Sequence, residues 1–95
     1  MTLLAVQPYV KVHRDVSSVK QVQREEMREI RLYTDRIETK YHTFPIQDVL
    51  DMSYYALGNK GGLLYLHTIR GVYSYHVYQT PQAFIDSFKT HQNSL

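Results

Sequence analysis

A chain of 95 residues and 11.2 kDa has room for one hydrophobic core, so a single domain is expected over residues 1–95. Its 43% hydrophobic and 21% charged content argues against disorder, and the absence of cysteine excludes disulfides, thiolate metal sites and a cysteine nucleophile. Eleven Lys and Arg against nine Asp and Glu leave a net charge of +2, with signs alternating along the chain, so attraction of a polyanion would require clustering in space.

Nine tyrosines and three phenylalanines, with no tryptophan, favour strands. The opening "MTLLAVQPYV" is too short to span a bilayer and lacks a basic leader. No signal peptide or membrane helix is expected, and the cytoplasm is the default location. Residues 1–27 read in two ways. Val10 and Val12 alternate as in a strand near Pro8, while "DVSSVKQVQREEMREI" combines good helix formers with Val19 and Val22, which tilt it toward a strand.

From Arg28 onward the pattern is clearer. "REIRLY" and "RIETKY" flank Thr34-Asp35. With those two residues as the turn, Leu32 faces Ile37 and Ile30 faces Thr39. Arg31 faces Glu38 and Glu29 faces Lys40 on the other side. Pro45 belongs at a corner. A strand then runs from Gln47 or Asp48 to Ala56, with Leu50, Met52, Tyr54 and Ala56 on alternate positions. "GNKGG" is a turn.

"LLYLHTIRGVYSYHVY" predicts a hairpin about Arg70-Gly71, pairing Leu64 with Val77, Leu66 with Tyr75 and Thr68 with Tyr73 toward the core. "TPQAFIDSFKTHQ" predicts a helix near 81–92. Thr80 serves as N-cap, Phe84, Ile85 and Phe88 form the buried stripe, and Asp86 and Lys89 lie in solvent.

The segment "RLYTDRIETKYHTFPIQDVLDMSYY" resembles the bacterial pleckstrin-homology-like domains and their GRAM-type relatives. The residues that carry it are Leu32, Thr34, Asp35 and Ile37 at a turn, then Pro45, Ile46, Asp48 and Val49 at a strand entry. "TPQAFIDSFKTH" is similar to that family's terminal helix. The resemblance implies a mainly β fold: a strongly bent antiparallel barrel with one C-terminal helix at its open corner. It also implies a binding domain for protein or for anionic lipid. The corresponding basic segment here holds Lys11, Arg14, Lys20 and Arg24, spread over fourteen positions.

Other chemistry is weakly indicated. His67 and His76 fall on one hairpin face, but no carboxylate on those strands completes a metal site. Ser74 falls opposite His67 in this register, which permits a small hydrolase reading, though without an oxyanion hole. Tyr65 and Tyr78 lack the basic neighbours that a nucleic-acid platform needs. No catalytic residue, cofactor, metal or nucleic acid is therefore expected. The same face carries Leu63, Tyr65, Ile69, Val72 and Tyr78, more apolar than solvent-facing strands usually are. It is covered either by the N-terminal strands or by an unknown protein partner, including a twin molecule. A non-catalytic binding or adaptor domain follows, with weak anionic-lipid attachment as the alternative.

Overall fold

Alternation of apolar and polar residues governs most of the chain, and it yields seven strands and one helix in the computed structural model. The described residues are 2–16 and 21–95, with backbone alone described at 14–16 and 21–23. The strands are β1 (Leu3–Val16), β2 (Gln21–Tyr33), β3 (Arg36–Glu38), β4 (Thr43–Pro45), β5 (Val49–Ala56), β6 (Gly62–Thr68) and β7 (Gly71–Val77). Helix α1 (Gln82–Asn93) follows. All seven strands form one antiparallel sheet in the order β4-β3-β2-β1-β7-β6-β5. The ambiguous N-terminal quarter is therefore strand rather than helix in its described part. Val19 and Lys20 lie outside the described residues.

The expected barrel does not form. The sheet is neither closed nor strongly curled: β4 and β5 are its two edges and no ladder joins them. Its longest ladder, β1 with β2, has thirteen rungs from Leu3–Tyr33 to Val16–Gln21. β7 meets β1 at one rung, Val10–His76, and β3 meets β2 at two, Arg31–Glu38 and Leu32–Ile37. Beyond the Val10–His76 rung the last six β1–β2 rungs, Lys11–Glu26 to Val16–Gln21, run on as a two-stranded arm. The long axis is 54 Å against 27 and 23 Å, and the radius of gyration is 14.8 Å, above the roughly 12 Å of a compact chain this size.

The Thr34-Asp35 turn and its register are as the sequence requires. The further pairs Ile30–Thr39 and Glu29–Lys40 do not form, because the chain turns after Glu38. There the Thr39 N–H donates to the His42 carbonyl at 2.8 Å, and the Thr39 hydroxyl accepts from the His42 N–H at 3.1 Å. The chain then returns as β4, a short strand the sequence pattern did not announce. Pro45 ends it at the sheet edge, where its missing N–H is harmless. A 3-10 turn, Ile46–Asp48, connects the two edge strands. Ile46 donates to the Asp35 carbonyl and Asp48 accepts from Ile69, both at 3.0 Å, tying the β2–β3 and β6–β7 turns to one corner.

Two registers differ from expectation. A bulge between Val49 and Asp51 turns Leu50 outward, 56% exposed, and places Val49 in the core. The β6–β7 turn is Ile69-Arg70 rather than Arg70-Gly71, so Gly62 faces Val77, Leu64 faces Tyr75, Leu66 faces Tyr73 and Thr68 faces Gly71. The Thr68 hydroxyl fixes this turn, accepting from the Arg70 N–H at 3.1 Å and donating to the Gly71 carbonyl at 2.8 Å. A slip of two residues keeps every side chain on its expected face.

Helix α1 covers one face of the sheet. Phe84, Ile85 and Phe88 pack with Ile30, Leu32, Ile37, Met52, Leu64 and Leu66, each fully buried apolar side chain contributing roughly 1.5–3 kcal/mol. Asp86 and Lys89 are exposed as expected. Thr80 is not the cap: Pro81 occupies that position, and its carbonyl accepts from Ile85 at 2.8 Å. The β5 edge is closed by side chains. Gln92 donates to the Leu50 carbonyl at 3.0 Å, and the Asp51 carboxylate accepts from the Met52 N–H at 2.8 Å.

"GNKGG" forms the β5–β6 turn, with Gly58 at φ 64° and Gly61 at φ 79°. A Cβ on Gly61 would lie 2.1 Å from the Val77 carbonyl oxygen, whereas one on Gly58 would meet nothing within 4 Å. Gly58→Ala should therefore cost about 1 kcal/mol from backbone strain alone. Gly61→Ala should cost more than about 3 kcal/mol, strain and backbone collision acting together. Urea unfolding of the two variants checks the difference.

Candidate functional site

The face of the sheet turned away from α1 is organised in rows. Across β5, β6 and β7 they read Asp51–His67–Val72, Ser53–Tyr65–Ser74 and Tyr55–Leu63–His76. The third row continues through the single β7–β1 rung to Val10, and from there to Met27 on β2. This row crosses five strands, with Tyr55 and Met27 about 60% exposed at its ends and Val10 buried within it. Leu63, Tyr65 and Val72 thus share one face. Ile69 stands apart at the β6–β7 turn. Tyr78 follows β7, its hydroxyl donating to Glu25. The N-terminal strands continue this sheet sideways beyond β7.

His67 and His76 are not diagonal neighbours. The two-residue register shift sets them two rows apart, a four-residue offset of roughly 13 Å, too far for a shared ion. No group of three or more metal-ligating side chains occurs among the described residues. Ser74 faces Tyr65, not His67. His67 bonds instead to Ser53 on β5, Nε2 to Oγ at 2.7 Å. That pair lies on the open face with Ser53 exposed.

Of the basic positions of the arm, Lys11 and Arg24 are described with their side chains, two rungs apart on the β1–β2 ladder. Lys11 is exposed, but its rung partner is Glu26, and Arg24 pairs across from His13. Arg14 is described by its backbone, opposite Gln23, and Lys20 lies outside the described residues. Glu26 is the hub of this region. It accepts from Arg28 at 2.6 Å and Lys40 at 2.8 Å and meets His13 at 3.2 Å. Hydrogen bonds from Arg28 and then Lys40 hold its carboxyl down at about 2, from an ordinary 4.5. A groove of about 600 Å³ beside this hub, along the outer edge of β2, is lined by Arg28, Arg31, Lys40 and the acids Glu26, Glu29 and Glu38. Its charges largely satisfy one another.

A second cleft, of about 460 Å³, opens where β1 and β7 part. Tyr9 and Lys11 come from β1, Tyr73 and Tyr75 from β7, and Tyr41 and His42 from the β3–β4 turn. Tyr9 stands edge-on to Tyr75 at 5.0 Å, and Tyr73 packs against His42 at 5.3 Å and Phe44 at 4.9 Å. Tyr75 is 9% exposed and its hydroxyl makes no hydrogen bond. Burial pushes its pKa up to about 12. The Thr39 hydroxyl is near enough to oppose that rise without completing a bond.

Sequence reasoning missed Tyr55, which joins the long row through the β5–β6 ladder, and Val10 and Met27, which join it through the β1–β7 rung. It missed the cleft because the loop between β3 and β4 was not anticipated. Comparison with protein families, with curated proteins and with solved structures found no match. No described helix is long and apolar enough to cross a membrane.

Two outcomes follow. Glu26 is ionised more readily in the fold than in the unfolded chain, so its contribution is present above about pH 4.5 and is lost as pH falls toward about 2. The stability gap between the wild type and Glu26→Gln should therefore close over that range, as followed by urea unfolding at stepped pH. Tyr75→Phe removes a buried hydroxyl that has no partner, so it should leave stability unchanged or raise it by about 1 kcal/mol. Calorimetry reads that directly.

Proposed function

We propose that this chain is a non-catalytic binding domain that associates with protein through the sheet face opposite α1, with a second copy of the chain as the occupant. The observation that carries the reading is the row Tyr55–Leu63–His76–Val10–Met27, apolar in four of five positions, with Tyr55 and Met27 exposed at its ends, Leu63 and His76 half-buried and Val10 buried. Leu63, Tyr65 and Val72 widen it, and sheets pack face to face through such surfaces at about 10 Å separation.

The order of seven antiparallel strands followed by one helix supports kinship with the pleckstrin-homology-like domains at the level of element order. The Ser53–His67 pair offers less to a catalytic reading, because an open face neither excludes water nor supplies oxyanion donors.

Light scattering at about 100 μM should return a dimer mass that persists at high salt, since apolar burial is little screened. Tyr55→Lys combined with Leu63→Lys should give a monomer with cooperative unfolding retained. A wild-type monomer would reject self-association. Salt-sensitive pelleting of that monomer with anionic vesicles, lost on reversing Lys11 and Arg24, would replace it with attachment to lipid.

A further inference from the structure

β1 and β7 touch at the Val10–His76 rung and then separate. One residue further along, Lys11 and Tyr75 are the next cross-strand neighbours, and both line the cleft that opens between them. At about 460 Å³ the cleft has the volume of a small-molecule site, enough for one or two rings. Its walls are flat and aromatic, formed by Tyr9, Tyr73 and His42. No carboxylate lines it among the described residues. Arg28, at its back, is already engaged by Glu26 at 2.6 Å. Lys11 is exposed at the rim and makes no ion pair with a described residue.

The floor supplies the second, independent observation. Tyr75 is more than nine-tenths buried, yet its hydroxyl has no hydrogen-bond partner. Buried phenols ordinarily find one, and an orphaned polar atom carries a free-energy cost that an incoming acceptor would relieve. Because the phenol keeps its proton through the physiological range, it donates, and what it lacks is an acceptor oxygen.

We propose that this cleft is a binding site for a small planar carboxylate, its ring held among Tyr9, Tyr73 and His42 and its oxygens taken by Lys11 and Tyr75. One fixed cation and one neutral donor match a monoanion. A phosphate dianion would leave a charge unmatched and would feel Glu26 behind Arg28. Val10 and Ser74 of the outer rows also line the cleft, but the groups that hold the ligand, Lys11, Tyr75 and the rings of Tyr9, Tyr73 and His42, are not part of the proposed self-association face.

Benzoate and its uncharged analogue benzamide are suitable probes, titrated into protein with isotope-labelled tyrosine rings and followed by NMR. Benzoate should shift the rings of Tyr9, Tyr73 and Tyr75 and saturate in the millimolar range, with benzamide at least about tenfold weaker. Lys11→Gln should weaken benzoate about fivefold to tenfold while leaving benzamide unchanged, whereas Tyr75→Phe, which removes a donor to either carbonyl oxygen, should weaken both. Both variants should fold, since Lys11 is exposed and the Tyr75 hydroxyl has no partner to lose. Absence of any shift at about 30 mM benzoate would overturn the site. Equal binding of the two probes, or indifference of benzoate to both variants, would overturn it as well.

Discussion

β1 has to serve two partners that leave it in different directions, and the rest of the molecule depends on that. It pairs with β2 along thirteen rungs and with β7 at one. The first ladder builds the arm and the second makes a single sheet of what would otherwise be two. Backbone hydrogen bonding is obligatory, so a strand cannot follow both neighbours at once beyond the point where they diverge. The Val10–His76 rung is that point. It carries the outer apolar row from β7 onto β2, and it begins the wedge that Tyr9, Tyr73 and Tyr75 line.

What could be read beforehand was local. Leu32 opposite Ile37 and Arg31 opposite Glu38 followed from charge and apolarity alone, because a one-residue error would have inverted both faces. Phe84, Ile85 and Phe88 marked the buried side of α1 for a similar reason. The β6–β7 hairpin shows the limit of such reasoning: faces were right and partners were two residues out, since alternation cannot distinguish registers of equal parity. The Thr68 hydroxyl decides between them through bonds invisible in a hydropathy pattern. Leu50 illustrates a second limit, because a bulge breaks the very alternation used to find the strand.

The candidate sites were less legible than the fold. Leu63, Tyr65 and Val72 were placed together by period-two spacing within one hairpin. Tyr55, Val10 and Met27 come from three other strands, and nothing in one hairpin reveals them. The basic residues of the arm looked like a set in sequence. In the fold their described members are interleaved with Glu26, which draws Arg28, Lys40 and His13 toward itself. A charge count over a segment cannot anticipate that, because Lys40 arrives from a loop fourteen residues away. The resemblance to pleckstrin-homology-like domains conveyed the order of elements and overstated the closure of the sheet.

The treatment of the sheet's two edges bears on how the molecule behaves at high concentration. β4 is three residues long and ends in Pro45, while β5 is bulged at Leu50 and has the Leu50 carbonyl and the Met52 N–H occupied by Gln92 and Asp51. Neither edge is a good template for another strand. Growth by adding strand to strand, the geometry of fibrils, is obstructed at both ends of the body. Contact through the broad face is not obstructed, and a face used once is consumed. A dimer formed as proposed through the broad face would therefore close at two copies, since neither outer edge of the body invites a further strand.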